Sequence, residues 1–318
     1  MDTRAETTPE SLGALLRHLS EGLVGNDLLI DRLIIALLSG GHLLVEGPPG
    51  LAKTRAVKWL GDAVEGSFAR IQCTPDLMPA DLTGTPVYRP QTGAFEFVPG
   101  PVFHNLVLVD EINRAPPKVQ SALLEAMAER QVTAGGDTHA LPDPFLVVAT
   151  QNPIEHDGTF PLPEAQLDRF LLFVRLDLPS PETERRILDL VEAEGQTVPT
   201  PGAQLSKSGL AQARRAAMAV HLAPELRDYI VRLVTATRQG PHAGDVEHAV
   251  SPRGSLALAA ASKARAYLRG RDHALPEDVA DLAPDALAHR MVLSWRAVAE
   301  GRTSRAVVAD ILAAVEPL

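Results

Sequence analysis

An α/β fold is what this sequence predicts: a mostly parallel five-stranded sheet with helices on both faces, followed by a C-terminal all-helical domain. Three observations predict it. Between about Gly22 and Leu178, short apolar runs alternate with stretches of helical periodicity. Those runs are bounded by glycine and proline. After Pro179 the chain turns Ala/Leu/Arg-rich with helical spacing. Strands that alternate with helices pair in parallel, and a parallel sheet is covered on both faces.

The elements follow in order. Residues 1–20 read as a helical lead-in, 21–179 as the α/β domain and 180–318 as the helical domain. Asn26 to Ser39 has helical spacing and stops at Gly40-Gly41; Lys53 to Val64 is a second helix. His42–Glu46, Phe68–Cys73, Asn105–Asp110, Phe145–Thr150 and Leu171–Leu176 are the five buried strands. Two hairpins interrupt the rhythm, at residues 86–98 around Pro90-Gln91-Thr92-Gly93 and at 131–140 around Gly135-Gly136-Asp137. The helical domain is broken by a polar linker (Gly195 to Lys207) and a Gly/His loop (Gly240 to His248).

Composition narrows the function classes. With 318 residues, 45% apolar and 22% charged, the chain has an ordinary globular balance and length for two domains. A formal charge of −10 and the absence of any Lys/Arg run of five count against general nucleic-acid binding, whose affinity comes from phosphate neutralisation. Cys73 is the sole cysteine, so no intrachain disulfide is possible. The first ten residues lack the apolar core of a signal peptide, and the apolar stretch Leu28–Val45 is broken by Asp31, Arg32 and Gly40-Gly41. The expected location is the cytoplasm.

The strongest motif is Gly47-Pro48-Pro49-Gly50-Leu51-Ala52-Lys53-Thr54, which follows a strand and opens a helix, the context of a phosphate-binding loop. Pro48 and Pro49 carry no N–H, so the amides of Gly50 through Thr54 must form the anion cradle at the helix N-terminus. Lys53 is expected to reach the β- and γ-phosphates of a nucleotide and Thr54 to ligate Mg²⁺. Ala52 stands where a strict pattern has glycine; a Cβ is tolerated there if the residue is already helical.

Leu106-Val107-Leu108-Val109 runs into Asp110-Glu111 at the carboxyl edge of the sheet, where ligands bind in open α/β folds. Asp110 is expected to hold Mg²⁺ through its water shell, and Glu111 to act as general base on the attacking water. Phe145–Thr150 leads to Asn152, suited to a γ-phosphate or the water. Asp168 and Arg169 end a short helix, where Arg169 is placed to enter a neighbouring subunit's site; the alternative is an ion pair between the two. Ser251-Pro252-Arg253 is a helix start with a serine cap, which fixes Arg253 in a first turn. His242, His248 and the other histidines lack zinc-ligand spacing, and Trp59 and Trp295 are expected in the core.

On these residues the chain resembles the MoxR family of AAA+ ATPases over nearly its whole length. To the loop at 47–54 the resemblance adds Arg70-Ile71-Gln72-Cys73-Thr74-Pro75-Asp76, Leu82-Thr83-Gly84 and Val109–Arg114. Further matches are Leu123–Met127, Ala149–Pro153, Leu162–Phe170 and Ser251–Arg253. Ala52 looks like the family's usual loop, whereas Cys73 stands where an aromatic is expected. The resemblance implies Walker A roles for Lys53 and Thr54 and Walker B roles for Asp110 and Glu111. Asn152 becomes sensor 1, Arg169 the arginine finger and Arg253 sensor 2, and Val24-Gly25-Asn26 borders adenine. It implies an Mg²⁺–ATP hydrolase working as a hexameric ring, with both hairpins facing a client protein. A von Willebrand factor A domain partner and chaperone-like maturation are typical of such proteins. The alternatives are a chelatase-type motor for metal insertion, a nucleic-acid motor, which the charge disfavours, and a P-loop kinase, which needs no second subunit.

Overall fold

The computed structural model describes residues 8–153, 158–194 and 205–317. The first residues of the lead-in and most of the polar linker at Gly195–Lys207 lie outside the described residues. The chain divides into two compact units. One gathers residues up to Ile34, His42–Leu162 and Val174–Ala213; the other holds Ile35–Gly41, Pro163–Phe173 and the chain from Arg214 onward.

The first unit is built on strands β1 (Leu43–Glu46), β2 (Phe68–Gln72), β5 (Leu106–Asp110) and β8 (Leu146–Gln151). With β9 (Leu172–Arg175) they form a five-stranded sheet in the order β2-β5-β8-β1-β9. The pairings β2–β5, β5–β8 and β1–β8 are parallel. Strand β5 is buried along its whole length and β8 up to its last residue, which explains why both read as continuous apolar runs. Register then aligns the carboxyl ends: Gln72 pairs with Asp110, and Glu46 with Gln151. Four polar side chains therefore end at one edge of an otherwise apolar sheet.

Helices α1 (Thr8–Gly22), α2 (Asp27–Ser39), α3 (Lys53–Ala63), α4 (Pro79–Thr83) and α5 (Pro117–Glu129) precede or separate these strands. Gly22 is required where it stands, because a Cβ there would lie 1.6 Å from the Trp59 ring. Trp59, expected in the core, is only half-buried, stacked on His18 with Arg55 over its face. His42 is a core histidine, accepting from the Val147 amide at 3.0 Å with its other ring nitrogen 3.3 Å from the Met127 carbonyl.

The hairpins expected at 86–98 and 131–140 are strands β3 (Gly84–Arg89) with β4 (Ala94–Pro99), and β6 (Gln131–Ala134) with β7 (Asp137–Ala140). Phe97 stacks on His139 at 4.0 Å between ring centres, so the two hairpins brace each other. Tyr88 and Phe95 stay exposed on the first of them, with ring centres 5.5 Å apart.

The short helix α6 (Glu164–Leu167) belongs to the second unit, and α7 (Pro181–Glu194) clusters with the sheet. The remaining helices are α8 (Lys207–Ala219), α9 (Pro224–Ala236), α10 (Pro252–Leu268), α11 (Pro276–Leu287), α12 (Trp295–Ala299) and α13 (Ser304–Ala314). Their core includes Leu226, Tyr229, Leu258, Val279, Leu282 and Ile311. The Gly/His loop contributes β10 (Val246–His248), which pairs antiparallel with β11 (Val292–Leu293), a small addition to the expected all-helical domain. Asp278 is fully buried; Arg271 holds it with bonds of 2.8 and 2.7 Å while it accepts from the Leu275 amide. Trp295 corrects an expectation. It is 81% exposed rather than in the core, because the five-residue α12 buries only Ala297.

His289 is buried, with Nε2 3.2 Å from the Phe170 carbonyl. Burial, reinforced by the adjacent Arg290 charge, pushes its pKa well below 6.5 and keeps it neutral at pH 7. The unfolded chain takes up a proton here below about pH 6.5 and the folded chain does not. Stability from this group is thus complete above that pH and falls as pH drops, by up to about 1.4 kcal/mol per unit. Denaturant unfolding at pH 7.5 and 5.5 should show a larger acid loss for the wild type than for His289→Gln. Equal losses would contradict a neutral buried imidazole.

Candidate active site

The loop between β1 and α3 is shaped for an anion by its backbone. Gly50 has φ +87° with open space around its Cα, and Ala52, the residue before α3, has φ 53° and ψ 21°. This corrects the condition under which the alanine was tolerated: Ala52 is left-handed, not helical. A Cβ in that region costs about 1–2 kcal/mol, which the surrounding loop must outweigh. No side chain caps α3 and no acid lies in its first turn. Its first amides are therefore left for an outside acceptor, at the positive end of the helix dipole.

Lys53 and Thr54 open α3 and point into the same cleft as Asp110 and Glu111. The Lys53 ammonium donates to the carbonyls of Gly47 (2.5 Å) and Pro48 (3.3 Å). Burial lowers its pKa, against the opposing pull of the carboxylates of Asp110, Glu111 and Glu46. Thr54 Oγ1 donates to Asp110 Oδ2 at 3.3 Å. Asp110 is only 6% exposed and is held from two further sides, by Arg70 Nε at 2.7 Å and Thr150 Oγ1 at 3.2 Å. The Thr150 hydroxyl also accepts from the Glu111 amide at 3.0 Å, which ties the two consecutive acids to β8.

Glu111 has φ 57° and ψ 51°, a left-handed conformation costly for a residue with a side chain. The turn swings its carboxylate out of the strand, where Gln72 Nε2 (3.0 Å) and Arg114 (3.1 Å) donate to Oε2. Asn152 is 7% exposed and lines the cleft beside Thr150 and Gln151. Next to it Glu46 accepts from Gln151 at 2.7 Å and pairs with Arg175 at 2.8 Å. The cleft encloses about 390 Å³ between the loop at 49–55 and the carboxyl ends of β2, β5 and β8.

A second, more apolar pocket of about 230 Å³ shares Gly50, Leu51, Ala52 and Arg55 with this cleft. Val24, Gly25 and Leu28 line it opposite Ile187, Leu190 and Val191 of α7. The structure thus brings together Val24, Gly25, the loop Gly47–Thr54, Asp110, Glu111 and Asn152 in one unit. Arg70, Gln72 and Thr150 are site residues to which sequence reasoning assigned no role. The available signal was alternation: Arg70 and Gln72 lie two apart on a strand ending at this edge. Buried Cys73 has its thiol pKa pushed up to about 12 by burial and then by the charges of Asp110 and Glu111, so it stays protonated.

Arg169 and Arg253 lie in the second unit. Asp168 is the C-cap of α6, and its carboxylate meets Arg290 Nε at 2.9 Å, Ser251 Oγ at 3.2 Å and Arg253 at 3.7 Å. Its ion pairs include those to Arg290 and Arg253. Ser251 caps α10, accepting from the Arg253 amide, with Pro252 in the first turn.

Comparison with known proteins agrees with this geometry. Residues 42–172 match the model of the ATPase family associated with various cellular activities, and residues 242–311 match the AAA lid domain. The chain is 48% identical to the chaperone MoxR1 of Mycobacterium tuberculosis, over 92% of this chain and 78% of that one. It is 33% identical to protein MoxR of Methylorubrum extorquens, over 94% and 92%. A crystal structure of a protein from Cytophaga hutchinsonii, described by inference as an ATPase, superposes with a TM-score of 0.89 at 40% identity, covering 98% of this chain and 96% of the other.

The cleft generates one direct expectation. Among the described residues Lys53 is the only lysine that lines it, and alanine cannot replace the ammonium charge against a triphosphate. Lys53→Ala should show no ATP binding by calorimetric titration while remaining folded. Near wild-type affinity in the folded variant would remove the phosphate-loop assignment.

Proposed function

The chain belongs to the MoxR family of AAA+ ATPases, and from that premise we propose that it hydrolyses Mg²⁺-bound ATP to remodel or mature a partner protein. The single observation that carries this reading is convergence. One 390 Å³ cleft collects an uncapped helix N-terminus, a lysine, a hydroxyl–carboxylate pair and a second, outward-turned glutamate. Those are the groups phosphoryl transfer to water requires.

In this reading the amides of Gly50–Thr54 and the Lys53 ammonium bind the β- and γ-phosphates, while the adjoining pocket at Val24, Gly25 and Leu28 takes the base. The oxygen donors Thr54 Oγ1 and Asp110 Oδ2, 3.3 Å apart, fit a hard divalent cation. Bound there with the nucleotide, Mg²⁺ held by Thr54 and Asp110 would supply neutralisation of the phosphate charge. Glu111 accepts a proton from the water that attacks the γ-phosphorus, the bond to the β–γ bridging oxygen breaks, and ADP and phosphate leave. Asn152 orients that water or the γ-phosphate. Burial lowers the Lys53 pKa, and the carboxylates of Asp110, Glu111 and Glu46 oppose that shift by favouring the charged ammonium.

Arg169 is proposed to act on a neighbouring subunit's site and Arg253 to sense the γ-phosphate, in a homo-oligomeric, hexameric ring in the cytoplasm. The hairpins β3–β4 and β6–β7 are proposed to meet the client, and exposed Tyr88 and Phe95 support that. A von Willebrand factor A domain protein is the proposed partner. The division of the chain at residue 180 into nucleotide and lid domains remains part of this proposal. Among the described residues no helix is long and apolar enough to cross a membrane.

Glu111→Gln tests the reaction. The amide keeps the shape but cannot take the proton, so turnover should fall by about 10²-fold or more while ATP still binds by calorimetry. Unchanged hydrolysis, or loss of binding, would contradict the role given to Glu111.

A further inference from the structure

The second unit contains a buried guanidinium for which the chemistry above has no use. Arg290 is 8% exposed and follows α11 in a short 3-10 segment, Ala288–Arg290. Its fork reaches the turn that follows α6. Nε donates to Asp168 Oδ1 at 2.9 Å, one terminal nitrogen donates to the carbonyls of Asp168 (3.3 Å) and Phe170 (2.5 Å), and the other to Leu171 at 3.1 Å. That second nitrogen also donates to the Ala286 carbonyl, which anchors the fork to its own helix. Asp168, Phe170 and Leu171 of this turn thus all bond to this one side chain.

The same carboxylate extends the connection. Asp168 Oδ2 accepts from Ser251 Oγ and lies 3.7 Å from Arg253, so it holds both the cap of α10 and the arginine in its first turn. The stem of Arg290 lies under that helix start: a Cβ on Gly254 would sit 3.5 Å from Arg290 Cδ. A planar, always-charged fork bonding several acceptors has few alternative arrangements, whereas an exposed pair such as Arg253–Asp168 alone is weak.

We propose that Arg290 is the positioning residue for both Arg169 and Arg253, fixing the turn that carries the first and, through Asp168, the helix start that carries the second. The two arginines then move as one body. The proposal rests on the roles given above to Arg169 and Arg253 for its effect on turnover, but not for its effect on the turn itself.

Two readouts test it on the full-length chain. The first is amide hydrogen exchange in wild type, Arg290→Lys and the near-isosteric Asp168→Asn, the last in case the lysine variant folds poorly. Lysine offers one nitrogen and cannot reproduce the fork. Exchange should quicken in residues 166–173 and 251–256 and stay unchanged in α3 and β5. Unchanged exchange at the turn, in whichever variant folds, would overturn the proposal.

The second readout is turnover. Misplacing a catalytic group by about 1 Å costs about 10²-fold, so kcat should fall by that order while ATP affinity stays near wild type. Mixed rings then separate the two ideas. Lys53→Ala subunits, which lack a site but keep Arg169, should restore activity to Arg169→Ala subunits. Lys53→Ala/Arg290→Lys subunits should fail to. If the doubly substituted subunits restore activity as well as the single variant does, Arg290 does not position Arg169. If even Lys53→Ala restores nothing in rings that form, Arg169 does not act across subunits, and the exchange result alone decides the role of Arg290.

Discussion

A buried carboxylate at the end of β5 sets the geometry of the candidate site. Asp110 is 6% exposed, and a charge so placed is tolerated only if other groups bond it. Its partners come from three different elements: Thr54 from the first turn of α3, Arg70 from β2 and Thr150 from β8. Satisfying that one group fixes where the phosphate loop sits against the sheet and which way β2 presents its polar face. Glu111 inherits the arrangement, because Thr150 also takes its amide while Gln72 and Arg114 hold its side chain. The cluster does the structural work of pairing a buried charge with groups that suit nucleotide chemistry.

A parallel logic runs through the second unit with the charges reversed. There a buried cation, Arg290, gathers carbonyls and one carboxylate, and His289 and Arg305 add bonds to Phe170 and Phe173. Irregular backbone between a helix and a strand leaves carbonyls without ladder partners, and buried donors are the usual remedy. These bonds tie the turn that carries Arg169 to the end of α11. Strain is stored elsewhere, at Ala52 and Glu111, both left-handed and both beside the phosphate cleft.

How much of this was legible follows from how local each signal is. The five sheet strands were readable to within a residue or two at each end; in β1, β5 and β8 near-continuous burial leaves an apolar run that glycine and proline delimit, whereas edge strand β2, expected to be buried, buries only Ile71. The phosphate loop and the Ser251 cap were readable for the same reason, each being written in consecutive residues. What escaped depends on register or on distant partners. Arg70 and Gln72 reach the acids only because Gln72 pairs with Asp110, a relation between strands. Arg290 meets Asp168 across 122 positions, and nothing near either residue announces it. The left-handed Ala52 and the exposed Trp295 are failures of a different kind: each followed a residue-type preference that the local backbone overrides.

The central claim is that Asp110 and Thr54 together hold the cation of a bound nucleotide. Calorimetric titration of ATP with and without Mg²⁺, on wild type and Asp110→Asn, tests it most directly. The account predicts that Mg²⁺ tightens ATP binding to the wild type and that this increment disappears in the variant, which still binds metal-free ATP through Lys53. An increment of equal size in both proteins would contradict it.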